Sequence, residues 1–258
     1  MKKLFALMLS LALLLGCCSG LAESDKEAVL AKGKLVVGIT DFAPMDYRDT
    51  DGNWVGFDAD MARAFAASLG VEVEFVEIDW DNKVLELNSG NIDCVWNGMT
   101  LTDEVLSAMS CSVPYANNAQ IVIVPADKAA DYQTAESLAG LTFAVEAGSS
   151  GEAAAQALGF AYNSVQNQAA TLLEVAAMAS DAAIIDSLMA AAMVGEGTDY
   201  ASLTYTVQLT EEKYGVGFRK DSDLTDALNA FFAASWADGS MLFTAGLYGV
   251  QAAVIPQE

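Results

Sequence analysis

The chain contains no histidine. That one absence excludes Ser-His-Asp and Cys-His nucleophile arrangements, and with them every histidine metal site. Positive charge is scarce: 12 Lys and Arg stand against 35 Asp and Glu, a net charge of -23. Nucleic acid is therefore not expected as a partner, because backbone phosphates need clustered Lys and Arg. Such an acidic surface stays solvated and steers cations only weakly, since salt screens its field beyond about 8 Å. Past the N-terminus there is no apolar run near the roughly 20 residues that a membrane helix needs. Only four cysteines occur, two of them adjacent at Cys17 and Cys18. For the other two, Cys94 and Cys111, a disulfide and a pair of buried thiols are equally open. The acid-rich DTDGN at 49–53 looks at first like a calcium loop. Its glycine falls at the fourth place rather than the sixth, with no distal glutamate in register, so it reads as a hairpin turn. No metal and no cofactor are expected.

What is present begins with MKKLFALMLSLALLLG, where Lys2 and Lys3 precede an apolar run from Leu4 to Gly16. This is the pattern of a secretory signal, residues 1–16, too short to span a bilayer. Leu14-Leu15-Gly16-Cys17 resembles a bacterial lipobox. Cys17 would then be lipidated and become the new N-terminus, with 17–32 as a polar tether on the outer face of the cell membrane, or in a periplasm. Loss of Lys2 and Lys3 leaves 10 basic against 35 acidic residues, a net charge of -25. About 225 residues follow the tether, enough for one large domain or two small lobes.

LVVGIT (35–40) is a short β-branched run between a glycine and an Asp-Phe-Ala-Pro loop, and reads as a buried strand. In GFDADMARAFAASLG (56–70), Phe57, Met61, Phe65 and Leu69 recur every four residues, as on one face of a helix that Gly70 stops. VEVEF then alternates as a half-buried strand does. Strand, helix and strand in that order indicate a parallel α/β unit. The pattern restarts at LTFAVEAG (141–148), a strand, followed by SSGEAAAQALG, a helix, and DAAIIDS (181–187), a buried strand ending in an acid. LTYTVQL and YGVGFRK read as further strands, and SDLTDALNAFFAASWADGS as a closing helix with Leu224, Leu228, Phe231 and Trp236 as its stripe. Two α/β units whose strands end in polar turns imply a cleft between lobes, where ligands of open α/β sheets bind.

The stretch WNGMTLTDEVLSAM (96–109) offers a strand-to-helix turn with no basic residue in it. Thr102 is placed as an N-cap, with Asp103 and Glu104 in the first turn. Gly98 and Thr100 would turn a backbone N–H and a hydroxyl toward the cleft. Gly148, Ser149, Ser150 and Gly151 form the equivalent turn of the second unit, which can hold a carboxylate or simply cap its own helix. Phe42 and Trp80 each lie just past a strand, as core residues or as a pair that sandwiches a ligand. Asp186 ends a buried strand; it either needs a partner or caps the next helix. Asp41, Asp46 and Glu146 are further acids near strand ends.

With these residues in hand, the chain resembles the extracellular solute-binding proteins that feed polar amino acids to ABC importers. The resemblance is carried by LVVGITDFAPMDYRDTDGNWVGFDADMARAFAASLG, LNSGNIDCVWNGMTLTDE, the SVPY of 112–115, GLTFAVEAGSSGE, DAAIIDS, EEKYGVGFRKDSDL and the late ADGS. It implies a periplasmic-binding-protein-like α/β fold of two Rossmann-like lobes joined by two hinge crossings. Lobe 1 would comprise 33–117 and 214–258, and lobe 2 would comprise 118–213. It also implies hinge closure over one small ligand and delivery to a permease. By position, Phe42 and Trp80 match the family's stacking aromatics, Gly98 and Thr100 its backbone and hydroxyl contacts. Ser149 and Ser150 match the turn that meets the ligand's α-carboxylate, and Asp186 the acid that pairs with the α-amino group. One place departs: Val105 stands where the family usually has an arginine forming a two-pronged pair with that carboxylate. The ligand is thus expected to be an amino acid held by N–H groups and hydroxyls, or else an amine without that carboxylate. Arg48 and Arg63 read as surface residues, and Arg219 has no evident role. Other readings on the same fold are a ligand-sensing module for a receptor and a dehydratase-like enzyme, for which Glu146 or Asp186 would be the acid. The leading expectation is a binding protein that is not an enzyme.

Overall fold

The computed structural model describes residues 24–257, so the signal sequence and Cys17 lie outside it. The first stretch runs α1 (Asp25–Lys32), β1 (Lys34–Ile39), the short β2 (Tyr47–Arg48) and β3 (Trp54–Val55), α2 (Phe57–Ser68), β4 (Glu72–Glu77), α3 (Lys83–Ser89), β5 (Cys94–Thr100), α4 (Asp103–Ala108), β6 (Ser110–Cys111) and β7 (Ala116–Asn118). The chain then crosses into β8 (Gln120–Pro125), β9 (Thr142–Glu146), α5 (Ser150–Leu158), β10 (Ala161–Val165), α6 (Gln168–Ala176), β11 (Ala182–Asp186), α7 (Ser187–Met193) and β12 (Leu203–Gln208). It returns through β13 (Glu212–Phe218) and ends in α8 (Leu224–Ala237) and α9 (Ser240–Leu247).

Two larger sheets result, one in each lobe. The first has the order β4-β1-β5-β13-β6, with β7 also pairing β13; the second has the order β10-β9-β11-β8-β12. Within the first, β4, β1 and β5 are parallel and β13 runs antiparallel to β5. Within the second, β10, β9 and β11 are parallel and β8 is antiparallel to β11. In both, the parallel strands point their carboxyl ends at the other lobe's loops. That geometry turns the strand-end residues of the sequence into one site. Glu212 and Lys213 pair with Asn118 and Asn117, so the two crossings run side by side as a ribbon.

Local sequence explains the elements. Leu35 to Ile39 of β1 are all buried, as in a parallel strand covered on both faces. Helix α2 buries Phe57, Met61 and Phe65 against lobe 1, each worth about 1.5–3 kcal/mol of apolar burial. β4 alternates in exposure as its sequence suggested. In the closing helix α8 the fully buried aromatic is Phe232, whereas Phe231 and Trp236 pack only partly against the core.

Two expectations need correction, and one alternative left open is decided. The polar tether expected to reach residue 32 ends earlier, because Asp25–Lys32 is a helix with a Ser24–Glu27 capping box. That helix is docked on lobe 1 through buried Val29, the Arg219–Asp25 ion pair at 2.8 Å and Lys32 on Asp93. This gives Arg219 a structural role; it also donates to the Ile92 carbonyl at 2.9 Å. The chain carries a further helix, α9, after the Gly239 that seemed to close the fold. Finally, Cys94 and Cys111 are both free thiols. They pair with Phe218 and Gly217 of β13 from its two sides, which sets them about two strand spacings, roughly 10 Å, apart and beyond disulfide reach.

Candidate ligand-binding site

A cavity of about 250 Å³ lies between the lobes. Phe42, Trp80, Gly98, Thr100, Ser149, Ser150 and Asp186 all line it, and so does Val105. Asp41 and Asp46 do not. Asp46 is instead buried in lobe 1, where Asn97 donates to it at 2.8 Å.

The lobe 1 wall is built from the ends of β1, β4 and β5. Phe42 follows β1, and its ring meets Tyr214 edge-on with centroids 6.3 Å apart. It can lie there because the wall beside it is Gly98, at φ +54°, where a Cβ would come within 2.4 Å of the ring. The Gly98 N–H does not face the cleft as expected: it donates to Asp58 Oδ2 at 2.6 Å. Thr102 caps α4, accepting from the Val105 N–H at 3.2 Å. Trp80 opens a single 3-10 turn ahead of α3. That turn delivers a residue that sequence reasoning missed, Lys83, to the same cavity.

Lys83 crosses the cleft. Its Nζ donates to the Gly148 carbonyl of lobe 2 at 2.9 Å and to the Trp80 carbonyl at 3.2 Å, and it sits 5.0 Å from the Trp80 ring centre. Burial lowers its pKa, against the raising charges of Glu104, Glu146, Asp81 and Glu152. At Gly148 itself (φ +70°) a Cβ would lie 2.6 Å from the Asp81 Cα. Only a residue without a side chain lets the lobes approach this closely.

The lobe 2 wall is polar. Ser149 Oγ caps α5, accepting from the Glu152 N–H at 3.1 Å. Asp186 does not cap α7 with its side chain. It accepts at Oδ1 from Gln120 at 2.9 Å, from the Tyr214 hydroxyl at 2.8 Å and from Asn118, and at Oδ2 from Gln168. Burial and then the charge of Glu212 push its carboxyl up to about 7, with the Gln168, Tyr214 and Asn118 hydrogen bonds pulling down. Glu146 ends β9, and its Oε1 is buried without a hydrogen-bond partner. Burial first and the Asp186 charge second push it up to about 8, against the nearby Lys83.

Behind both walls sits Glu212, the second residue that the sequence did not single out. Its Oε2 accepts from Thr100 Oγ1 at 2.9 Å, Gln120 Nε2 at 3.0 Å and Asn118 Nδ2 at 3.2 Å. Its Oε1 accepts from Ser150 Oγ and from Thr210 Oγ1 at 2.9 Å. The two hydroxyls offered by opposite lobes thus converge on one protein carboxylate.

A cavity shut between two α/β lobes, at the carboxyl ends of their parallel strands, defines a two-lobed solute-binding protein. Residues 35–243 match the bacterial extracellular solute-binding proteins, family 3, and the chain belongs to that family. It is 31% identical over 236 residues to the arginine-binding extracellular protein ArtP of Bacillus subtilis, covering 89% of this chain and 91% of that one. Among solved structures, an ABC uptake transporter substrate-binding protein from Streptococcus pneumoniae with bound histidine superposes with a TM-score of 0.82. It is 29% identical, over 89% of this chain and 98% of that one. The ancestral amino acid-binding protein AncCDT-1, a precursor of cyclohexadienyl dehydratase, superposes with a TM-score of 0.80 at 30% identity, over 87% of this chain and 99% of that one. Binding proteins predominate among the relatives, and the same fold also carries a dehydratase, that of Pseudomonas aeruginosa.

Proposed function

We propose that this protein captures a small amine-bearing solute, an amino acid or a related amine, between its lobes and hands it to an ABC permease without altering it. The observation that carries the reading is the pairing of a hydrogen-bonded Asp186 with a buried, unpartnered Glu146 oxygen on one wall, facing Phe42 and Trp80 on the other. Two acids supply acceptors for an ammonium group, and the aromatic faces suit the attached carbon skeleton or a second cation. Relatives that bind arginine or histidine support the same solute class.

In this reading Phe42, Trp80, Gly98, Thr100 and Val105 form the platform that ligand meets first, Gly98 serving by its missing side chain. Hinge movement at the two crossings then brings Ser149, Ser150, Glu146 and Asp186 onto it. Cys17 would carry the lipid that holds the protein on the outer face of the membrane, beside its permease. A thermal-shift panel on the stripped protein tests capture: a true ligand at 100 times its dissociation constant stabilises by about 2.7 kcal/mol. Silence across all amino acids and their amines would end this reading. Acyl labelling that is lost on Cys17→Ser tests the anchor.

One observation favours a second reading. A glutamic acid held protonated to about pH 8 in a closed cleft is what a general acid requires. Chromatographic appearance of a product from a bound candidate would establish an enzyme; recovery of the ligand unchanged supports capture.

A further inference from the structure

We infer that Glu212 stands in for a ligand carboxylate, so that the solute held here is an amine or other organic cation with no carboxylate for Thr100 and Ser150 to grip. The inference rests on the capture reading above and narrows its solute class.

Thr100 and Ser150 face one another across the cleft, and a carboxylate bridging them would tie the lobes together. A carboxylate already does so. Glu212 draws the Thr100 hydroxyl to one oxygen and the Ser150 hydroxyl to the other, and Gln120, Asn118 and Thr210 complete its shell. A carboxylate has about four lone-pair sites, and five donors saturate them. A ligand carboxylate would therefore meet occupied donors and a like charge behind them, a combination that works against binding.

Nothing else on the lobe 1 wall compensates. Val105 is apolar at the first turn of α4, and Asp103 and Glu104 beside it are acids. The single cation of the lining, Lys83, is committed to two backbone carbonyls, one in each lobe. Four acids, Asp103, Glu104, Glu146 and Asp186, line the same cavity. Its one buried, unpartnered polar atom is a carboxyl oxygen, Glu146 Oε1, which serves as an acceptor once an arriving cation favours the ionised form. A site whose two bridging hydroxyls are already spent on Glu212, and whose four acids stand against one lysine, favours an N–H-rich cation.

The test is calorimetric titration of the secreted chain carrying Cys17→Ser, unfolded and refolded to strip carried ligand. The probes are matched pairs: arginine and agmatine, lysine and cadaverine, histidine and histamine. At least one amine should bind about tenfold or more tightly than its amino acid. Glu212→Gln keeps an acceptor for the hydroxyls and removes the charge, so it should shrink that preference by about tenfold. An amino acid bound as tightly as its amine, or more so, overturns the inference and leaves capture standing. An amine preference that survives intact in a folded Glu212→Gln variant removes Glu212 from the account. If no member of any pair binds, both the inference and the capture reading fall. Should the variant not fold, the wild-type pairs alone decide.

Discussion

The two walls of the cleft treat their polar groups in opposite ways. On the lobe 1 side they are consumed internally: the Gly98 N–H by Asp58, and the Asn97 carboxamide by Thr40 and Asp46. What that wall shows to the cavity is an apolar patch of Phe42, Trp80, Val84, Met99 and Val105, bordered by Lys83, Thr100, Thr102, Asp103 and Glu104. On the lobe 2 side, Glu146, Gln168 and Asp186 stay inside the cavity lining, two of them acids that burial holds partly protonated. A preformed apolar platform costs nothing to leave empty, whereas a desolvated acid is costly until a partner arrives. On the capture reading proposed above, closure would thereby be tied to the charge of the ligand rather than to its bulk.

If the walls do cooperate in this way, keeping them apart should have the largest effect. Gly148→Val would put side-chain atoms into Asp81 at a positive φ. It should leave the lobes open under saturating ligand and weaken binding by about a hundredfold. X-ray scattering reads the missing contraction, and a normal contraction would mean that Gly148 does not gate closure. Next comes Asp186→Ala, which removes the acceptor shared by Gln120, Tyr214, Asn118 and Gln168 and should cost amine binding over about tenfold. Unchanged affinity by calorimetry would take Asp186 out of the site.

Val105→Arg adds a charge to the apolar platform, and should tighten α-amino acids by about tenfold if their carboxylate faces position 105. No change in the same titrations puts that group elsewhere. The smallest effect expected is on stability. Because Glu146 titrates near 8 when folded and near its ordinary 4.5 when unfolded, the folded state holds the extra proton between those values. Ligand-free stability should therefore fall as pH rises through that window. Glu146→Gln removes this contribution, so its melting temperature should gain more on the parent at about pH 8 than at about pH 5. An equal gain at both would mean that Glu146 is ionised throughout.

The strand ends of this site were legible because each closes a short apolar run at a polar turn, and parallel α/β units bring such ends together. Phe42, Trp80, Thr100, Ser150 and Asp186 reach one cavity for that reason. Lys83 was not legible: it opens an ordinary helix, and only the 3-10 turn of Trp80–Asn82 aims it across the cleft. Glu212 was hidden by distance along the chain, lying 112 residues from Thr100 and 62 from Ser150. Hydrogen bonds of that separation leave no local pattern. Gly98 was placed rightly and misread, since the acid that takes its N–H sits 40 residues earlier on α2. In the fold, α9 escaped notice because Gly239, in the left-handed region at φ +82°, reads as a stop although a second helix starts directly after it.

The docked helix α1 sets the length of a leash. With Cys17 as the proposed lipid attachment, six residues, 18–23, separate the membrane from a body that begins at Ser24. Fully extended, they span about 20 Å, less than the width of the body they hold. The protein would thus graze the lipid surface with lobe 1 turned toward it, because α1 is fastened to that lobe by Arg219 and Lys32. On that proposal lobe 2 would be the swinging part, and a permease would find one lobe already in place.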